Sequence, residues 1–273
     1  MTNRRTVLRT AALLAALAAG KGASAQPAIG PLAIGDTFTL RSAVLGEQRR
    51  INVYNPPKGV DAKPLPVLYM PDGGMNEDFL HIAGLLQVSI ANGSMRPFML
   101  VGIENTQRRR DMTGPSDDPR DRAIAPVIGG AADFRQFIRE ELMPAVKARY
   151  RTTNETAIIG ESLAGLFVME TLFQTPELFD TYIAIDPSVW WNNEYLLKAG
   201  APPGTRQFGG KTLYVGVSNE PGMPALSGRL RQVLETAGKS GLSFSLTPFP
   251  EESHGTIYHP AALRAVRTVF KPQ

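Results

Sequence analysis

The chain has 273 residues, 43% of them hydrophobic, which is enough for a sizeable core in one α/β domain. It contains no cysteine, so disulfides, thiol catalysis and cysteine-based metal sites are excluded. The formal charge of +4 belongs to the first 25 residues: removing Arg4, Arg5, Arg9 and Lys21 from 29 Lys+Arg leaves 25, against 25 Asp+Glu. A balanced remainder gives no reason to expect nucleic acid as a partner.

The chain opens "MTNRRTVLRTAALLAALAAGKGASAQP". An arginine pair precedes an apolar Ala/Leu run, and Ala23-Ser24-Ala25 supplies the small residues a signal peptidase requires. The segment reads as a twin-arginine signal peptide, residues 1–25, cut after Ala25. It implies a periplasmic or secreted protein, with residues 26–273 as a single domain. Beyond it no apolar run is long enough to span a membrane.

"DTFTLRSAVL" and "RRINVYNPP", with Gly46-Glu47 between them, predict a β-hairpin. "LPVLYMPDGG" predicts a short buried strand ending in a glycine turn, followed by a helix from about Asp78 to Ala91. "PFMLVGIEN" is the next strand. Residues 105–130, rich in Arg, Asp, Pro and Gly, read as a long ordered loop. In "AADFRQFIREELMPAVKARY", Phe134, Phe137, Ile138, Leu142 and Val146 recur at helical spacing. "TAIIGES" is a central strand and "LAGLFVMETLFQTPELF" a helix. "TYIAIDPS" is a strand, and residues 189–210 form a loop-rich segment. "KTLYVGVSNE", "PALSGRLRQVLETAG", "LSFSLTPFP" and "PAALRAVRTVF" complete the alternation as strand, helix, strand and helix. Short strands alternating with helices predict an α/β fold, with a mostly parallel central sheet, helices on both faces and the antiparallel N-terminal hairpin at one edge.

Chemistry points to Gly160-Glu161-Ser162-Leu163-Ala164-Gly165. A Gly-x-Ser stretch alone is weak, but this one closes a strand and opens a helix. That is the context a nucleophilic serine on a strained turn requires, with small neighbours that let strand and helix approach closely. The alternative is a tight turn with a helix N-cap serine. A serine nucleophile needs a base, and the base an orienting acid. Three histidines are present. His81 precedes Ser162 and lies in a predicted helix. His254, in "PEESHGT", sits in a loop at the C-terminal edge of the sheet, where the serine turn also opens. His259 precedes Pro260 and starts the last helix. His254 is therefore the candidate base.

For the acid, Glu220 at the end of "LYVGVSNE" is the first choice and Asp186 at the end of "YIAIDPS" the second. Glu251 and Glu252 are near His254 in sequence, and a Ser-His dyad is a further alternative. The oxyanion formed on acyl attack needs two backbone N–H donors. Leu163, next after the serine, is one candidate and Gly74 of "PDGGM" the other. Trp190-Trp191 is a candidate substrate-binding pair, one ring packing inward and the other facing the cleft. Arg108, Arg109 and Arg110 read either as a solvated run or as one arginine paired with Asp111 and another meeting an anionic substrate, with Arg110 the substrate-binding candidate.

"VLYMPDGG", "VGIENTQRRRDMTGPS", "IIGESLAGLF", "IDPSVWWNNEYLL" and "PEESHGT" follow one another in this order. Together they resemble the putative-esterase (esterase D-like) branch of α/β-hydrolases, which includes siderophore esterases that open enterobactin-type trilactones. The resemblance runs from about residue 36 to 270. It implies an α/β-hydrolase sheet, Ser162 as nucleophile, His254 as base and the Gly74 region in the oxyanion hole. It also implies a Trp-Trp segment near the active site and an Arg-rich loop bordering the cleft. Glu161 stands where many members carry His. The expectation is an exported serine esterase acting on a small-molecule ester, siderophore-like esters included, with no metal or organic cofactor. An acyltransferase using the same Ser-His pair and a catalytically silent periplasmic binding protein are the alternatives.

Overall fold

Strands that are apolar on both sides must be covered on both sides, and this requirement sets the architecture. The computed structural model describes residues 30–56, 63–200 and 208–272. The segment expected as a signal peptide lies outside the described residues. The described strands and helices all belong to the unit Ile34–Gln273.

Strands β1 (Asp36–Arg41), β2 (Gln48–Tyr54), β3 (Leu65–Pro71), β4 (Met99–Ile103), β5 (Thr152–Glu161), β6 (Thr181–Ile185), β7 (Thr212–Ser218) and β8 (Ser243–Phe249) form one sheet. Its order is β1-β2-β4-β3-β5-β6-β7-β8. The expected hairpin is present, antiparallel from Asp36↔Val53 to Arg41↔Gln48. β2 runs antiparallel to β4, and the remaining neighbours are parallel. β4 and β6 are buried along their whole length, whereas β1 and β8 at the two edges are partly exposed.

One face is covered by α1 (Phe79–Ala91) and α9 (Tyr258–Val269). The other is covered by α4 (Ala131–Phe137), α5 (Met143–Arg149), α6 (Leu163–Gln174) and α8 (Met223–Gly238). The helix after β3 therefore lies on one face and the helix after β5 on the other. Adjacent loops that diverge to opposite faces open a crevice at the C-terminal ends of their strands, the usual ligand position in open α/β sheets. The Gly73-Gly74 loop and the Ser162 turn bound that crevice.

Three predicted segments differ in detail. The region expected as a loop over 105–130 holds two short helices, α2 (Arg108–Met112) and α3 (Pro119–Ile124). Both are too short for a hydrophobic period to show. The helix expected over 131–150 is continuous but passes through a π-helical turn, Ile138–Leu142, just before Pro144, which has no N–H to offer an α-helical ladder. The segment after Val189 contains α7 (Trp191–Ala199), and three consecutive residues inside it, Asn192, Asn193 and Glu194, adopt left-handed φ values of 48°, 52° and 63°. The Asp121 carboxylate accepts the Asn192 N–H at 2.7 Å and helps hold this turn.

The hairpin is tied to the α2 region by buried charge. The Arg49 guanidinium pairs with Asp111, lies 2.5 Å from Glu47, and sits over the Phe134 ring at 5.4 Å. Arg110 donates to Asp111 at 2.7 Å and to Glu47 at 2.8 Å. Removing one partner of a buried ion pair leaves an uncompensated charge. Asp111→Ala should therefore cost about 3–5 kcal/mol of unfolding free energy, read from the urea midpoint and slope. A loss below about 1 kcal/mol, the range of an exposed pair, would contradict the structural role of this network.

Candidate active site

Ser162 alone makes the turn between β5 and α6. Its φ of 60° and ψ of −119° fall where residues other than glycine rarely sit. Hydrogen bonds over-determine that conformation. The Ser162 N–H donates to the Ile185 carbonyl at 3.0 Å, and its own carbonyl accepts from Leu166 at 2.9 Å and Ser188 at 3.1 Å. The small neighbours are sterically required. A Cβ on Gly160 would lie 2.6 Å from the Ala164 backbone, and one on Gly165 would lie 3.0 Å from the Ile185 carbonyl oxygen.

The turn aims the hydroxyl at a histidine. Ser162 Oγ lies 3.1 Å from Nε2 of His254, which comes from the loop after β8. Nδ1 of the same ring lies 2.7 Å from Oδ2 of Asp186, the residue after β6. Asp186 is 1% exposed and also accepts the Ser218 N–H and hydroxyl, each at 2.8 Å. Burial alone would push the Asp186 carboxyl up, but hydrogen bonds from His254 and Ser218 outweigh it and hold the group below its ordinary value. On the other side of the pair, the Asp186 hydrogen bond raises the His254 pKa against the opposing effect of burial, and the nearby Glu161 and Glu220 charges add to the rise.

The carboxylate on the imidazole is thus Asp186, where Glu220 was the first expectation. Glu220 lies two residues beyond the end of β7, is exposed, and accepts the backbone N–H of His254 at 3.3 Å. β7 instead contributes Ser218, its last residue, which braces Asp186 on the neighbouring strand. His259 turns away from this chain of contacts, its Nδ1 lying 3.0 Å from Nε2 of His81.

The two expected oxyanion donors fare differently. Leu163 is the first residue of α6, so its N–H has no partner within the helix. The Gly74 N–H donates to the Glu77 carboxylate at 2.7 Å, so in this conformation it is not free to receive an oxyanion. Gly73 is needed for packing, since a Cβ there would lie 2.2 Å from the Gly102 and Ile103 backbone.

Arg110 also departs from expectation. Its ion pairs with Asp111 and Glu47 commit it to the framework rather than to a substrate. Arg108 grips Asp72 through two hydrogen bonds of 2.6 and 2.9 Å, joining α2 to the loop after β3. Arg109 is the exposed member of the run. The tryptophans divide as expected into one inward and one outward ring. Trp191 is 2% exposed and Trp190 40%. Trp191 borders a cavity of about 250 Å³ with Leu166, Glu170 and Tyr195, one helical turn along α6 from the serine. Burial pushes the Glu170 carboxyl up to about 7, with Arg135 opposing. Trp190 lines a more open groove with Arg120 and Ile124.

Of three further residues at the site, Ser188 and Ser218 had no motif of their own in the sequence, and Glu161 stood out only as the residue before the serine. Ser188 Oγ lies 3.4 Å from Ser162 Oγ, Ser218 anchors Asp186, and Glu161 Oε1 lies 3.4 Å from His254 Nε2. Only their positions beside Ser162 and at the ends of predicted strands could have flagged them. Among the described residues no cluster of three or more His, Asp or Glu is placed to hold a metal ion, and no helix is long and apolar enough to cross a membrane.

The mixed sheet, its crevice and the strained serine between strand and helix define an α/β-hydrolase fold. The chain belongs to the Putative esterase family, whose model matches residues 42–209. It is 36% identical over 115 residues to the ferri-bacillibactin esterase BesA of Bacillus subtilis, a match covering 37% of this chain and 40% of that protein. It is 37% identical over 152 residues to the siderophore triacetylfusarinine C esterase of Aspergillus fumigatus, covering 49% and 48%. The matches thus span less than half the length of these two curated relatives. An IroE-like serine hydrolase from Shewanella oneidensis superimposes with a TM-score of 0.70 at 28% identity, over 86% of this chain and 80% of that one.

The close approach at the turn can be tested without activity. Gly160→Ala should destabilise the protein by about 1–3 kcal/mol in urea unfolding, because backbone atoms must move. Gly84→Ala, at an open position inside α1, should be neutral or stabilising by up to about 1 kcal/mol. Equal responses at the two sites would contradict the packing described for the serine turn.

Proposed function

We propose that this chain is an exported serine esterase that hydrolyses carboxylic esters of the siderophore type through an acyl-Ser162 intermediate. The observation that carries the reading is the hydrogen-bonded line from Ser162 Oγ through both nitrogens of His254 to buried Asp186. Its Nδ1–H held by Asp186, the imidazole leaves Nε2 free to take the serine proton as Oγ attacks the ester carbonyl carbon. The carbonyl electron pair moves onto oxygen beside the Leu163 N–H. Collapse expels the alcohol, which takes the proton back from Nε2. Water then repeats the sequence on the acyl-enzyme, releasing the acid and restoring Ser162. Asp186 is the orienting acid in this scheme and Glu220 is not. The reading needs no metal or organic cofactor.

Support for the substrate class comes from the relatives, one named a ferri-bacillibactin esterase and one a siderophore triacetylfusarinine C esterase. Support for export comes from Arg4-Arg5, the apolar run and Ala23-Ser24-Ala25. Mature protein from the native host would then start at Gln26.

Turnover of p-nitrophenyl esters of rising chain length and of a catecholate trilactone tests the whole reading. Ser162→Ala should lower turnover by several orders of magnitude with an unchanged melt. Asp186→Asn should cost at least about a hundredfold in kcat with little change in KM, because an orienting carboxylate acts mainly on the transition state. Glu220→Gln should stay within about threefold of wild type, since it touches only backbone of the His254 loop. The trilactone should show the highest kcat/KM of the panel. A well-folded Asp186→Asn enzyme that keeps its activity while Glu220→Gln loses it would move the acid to β7. A trilactone no better than the simple esters would remove the substrate assignment.

A further inference from the structure

Glu161 stands in an unusual place for a carboxylate. It is the last residue of β5, directly before Ser162, and its Oε1 lies 3.4 Å from His254 Nε2, the nitrogen that also faces Ser162 Oγ. The side chain is 17% exposed. The imidazole is therefore flanked by two carboxylates, Asp186 at Nδ1 and Glu161 at Nε2. Nothing in the acyl transfer outlined above uses the second one.

The other charges around Glu161 do not cancel it. Arg108 is committed to Asp72 by two hydrogen bonds, and Asp72 and Asp186 are themselves acidic. Tyr258, from α9, is half-buried beside this group, and desolvation together with the Asp78, Asp72 and Glu161 charges pushes its phenol well above its ordinary value. His254 in turn faces Asp186, Glu161 and Glu220. The charges that act most strongly on the imidazole are thus those of three acids.

We propose that ionised Glu161 is an electrostatic partner of the reacting nitrogen, stabilising the His254 imidazolium that forms when Ser162 gives up its proton. Resting, neutral His254 presents the lone pair of Nε2 to Ser162, and a negative charge 3.4 Å away has nothing to gain from it. During attack the Ser162 O–H bond breaks, the Oγ electron pair forms the new bond to carbon, and the proton binds Nε2. The ring becomes positive beside Glu161. The interaction is therefore stronger in the transition state than in the ground state, the condition for raising kcat. Burial, opposed by His254 and Arg108, pushes the Glu161 carboxyl up to about 7, so the ionised form is present above that pH. The sign follows directly. Glu161 raises the His254 pKa, so it moves the acid limb of the pH–rate profile upward while increasing the rate on the plateau.

This inference rests on the esterase reading, but its test does not depend on turnover. The chain has three histidines, so His254 can be followed by NMR titration of the imidazole resonances, assigned by His254→Ala. Glu161→Gln should lower the His254 pKa by about one unit or more, the ordinary effect of losing an opposite charge at this range. In p-nitrophenyl butyrate hydrolysis the same variant should show an acid limb shifted to lower pH by a similar amount. Its kcat/KM at pH 8.5 should fall about tenfold, the rate equivalent of one pKa unit. A merely structural role would lower activity at every pH and leave the titration in place. If Glu161→Gln melts early, Glu161→Asp replaces it. Drawing the charge back by one methylene should lower the His254 pKa partway. An unchanged His254 pKa in a folded variant overturns the proposal. If wild-type protein fails to turn over esters while the His254 pKa still responds, the esterase reading falls and the charge pairing stands.

Discussion

The close approach of β5 and α6 at Ser162 is the constraint on which the site depends. Gly160 and Gly165 leave no room for a Cβ, and the serine between them is forced to a positive φ that places its hydroxyl beyond the sheet edge. The same turn aligns the first N–H of α6 beside that hydroxyl. Backbone hydrogen bonds to Ile185 and from Ser188 then couple the serine to β6 and the loop after it. β6 is the strand that delivers Asp186. One steric fact thus fixes the serine, the start of α6 and the approach to β6. The strain at Ser162 is tolerated because the surrounding parallel strands, buried on both faces, cannot relax around it.

A second layer of polar contacts positions the loops on which the site opens. Asp111 gathers Arg49 and Arg110, tying the hairpin to α2, and Arg108 carries α2 to Asp72 at the end of β3. Asn105 adds a 2.5 Å hydrogen bond to the same Asp72. The arginine run is therefore largely framework. Its charges hold the loop after β3 against the loop after β4, and with them one wall of the crevice. Asp186, Glu161 and Glu220 are the acids whose charges act on the imidazole. Together they raise the His254 pKa.

The meeting of Ser162 and His254 was legible because their signals are local or topological. The serine turn is specified by six consecutive residues, and the histidine follows from which edge of a parallel sheet its loop must occupy. The acid was not legible in the same way. Asp186 and Glu220 each follow a buried strand, and periodicity does not say which side chain turns toward a loop from β8. That choice is made by the left-handed backbone at Asp186, with φ 44°, and by Ser218 bracing it across the β6–β7 pair. The contacts of Gly74 and Arg110 were hidden for a related reason. Their partners, Glu77, Asp111 and Glu47, are ordinary charged residues whose proximity appears only once the loops are folded. The short helices α2 and α3 carry too few turns to leave a hydrophobic period, whereas the longer helices and the eight strands among the described residues follow the pattern of apolar residues.

Covalent labelling addresses the Ser162 assignment most directly. Folded protein treated with diisopropyl fluorophosphate and analysed by peptide mass spectrometry should carry one adduct, on Ser162, and His254→Ala should remain unmodified over the same interval, because without the base the hydroxyl stays a weak nucleophile. Folded wild-type protein that takes no label, or takes it on another residue, would contradict Ser162 as the activated nucleophile.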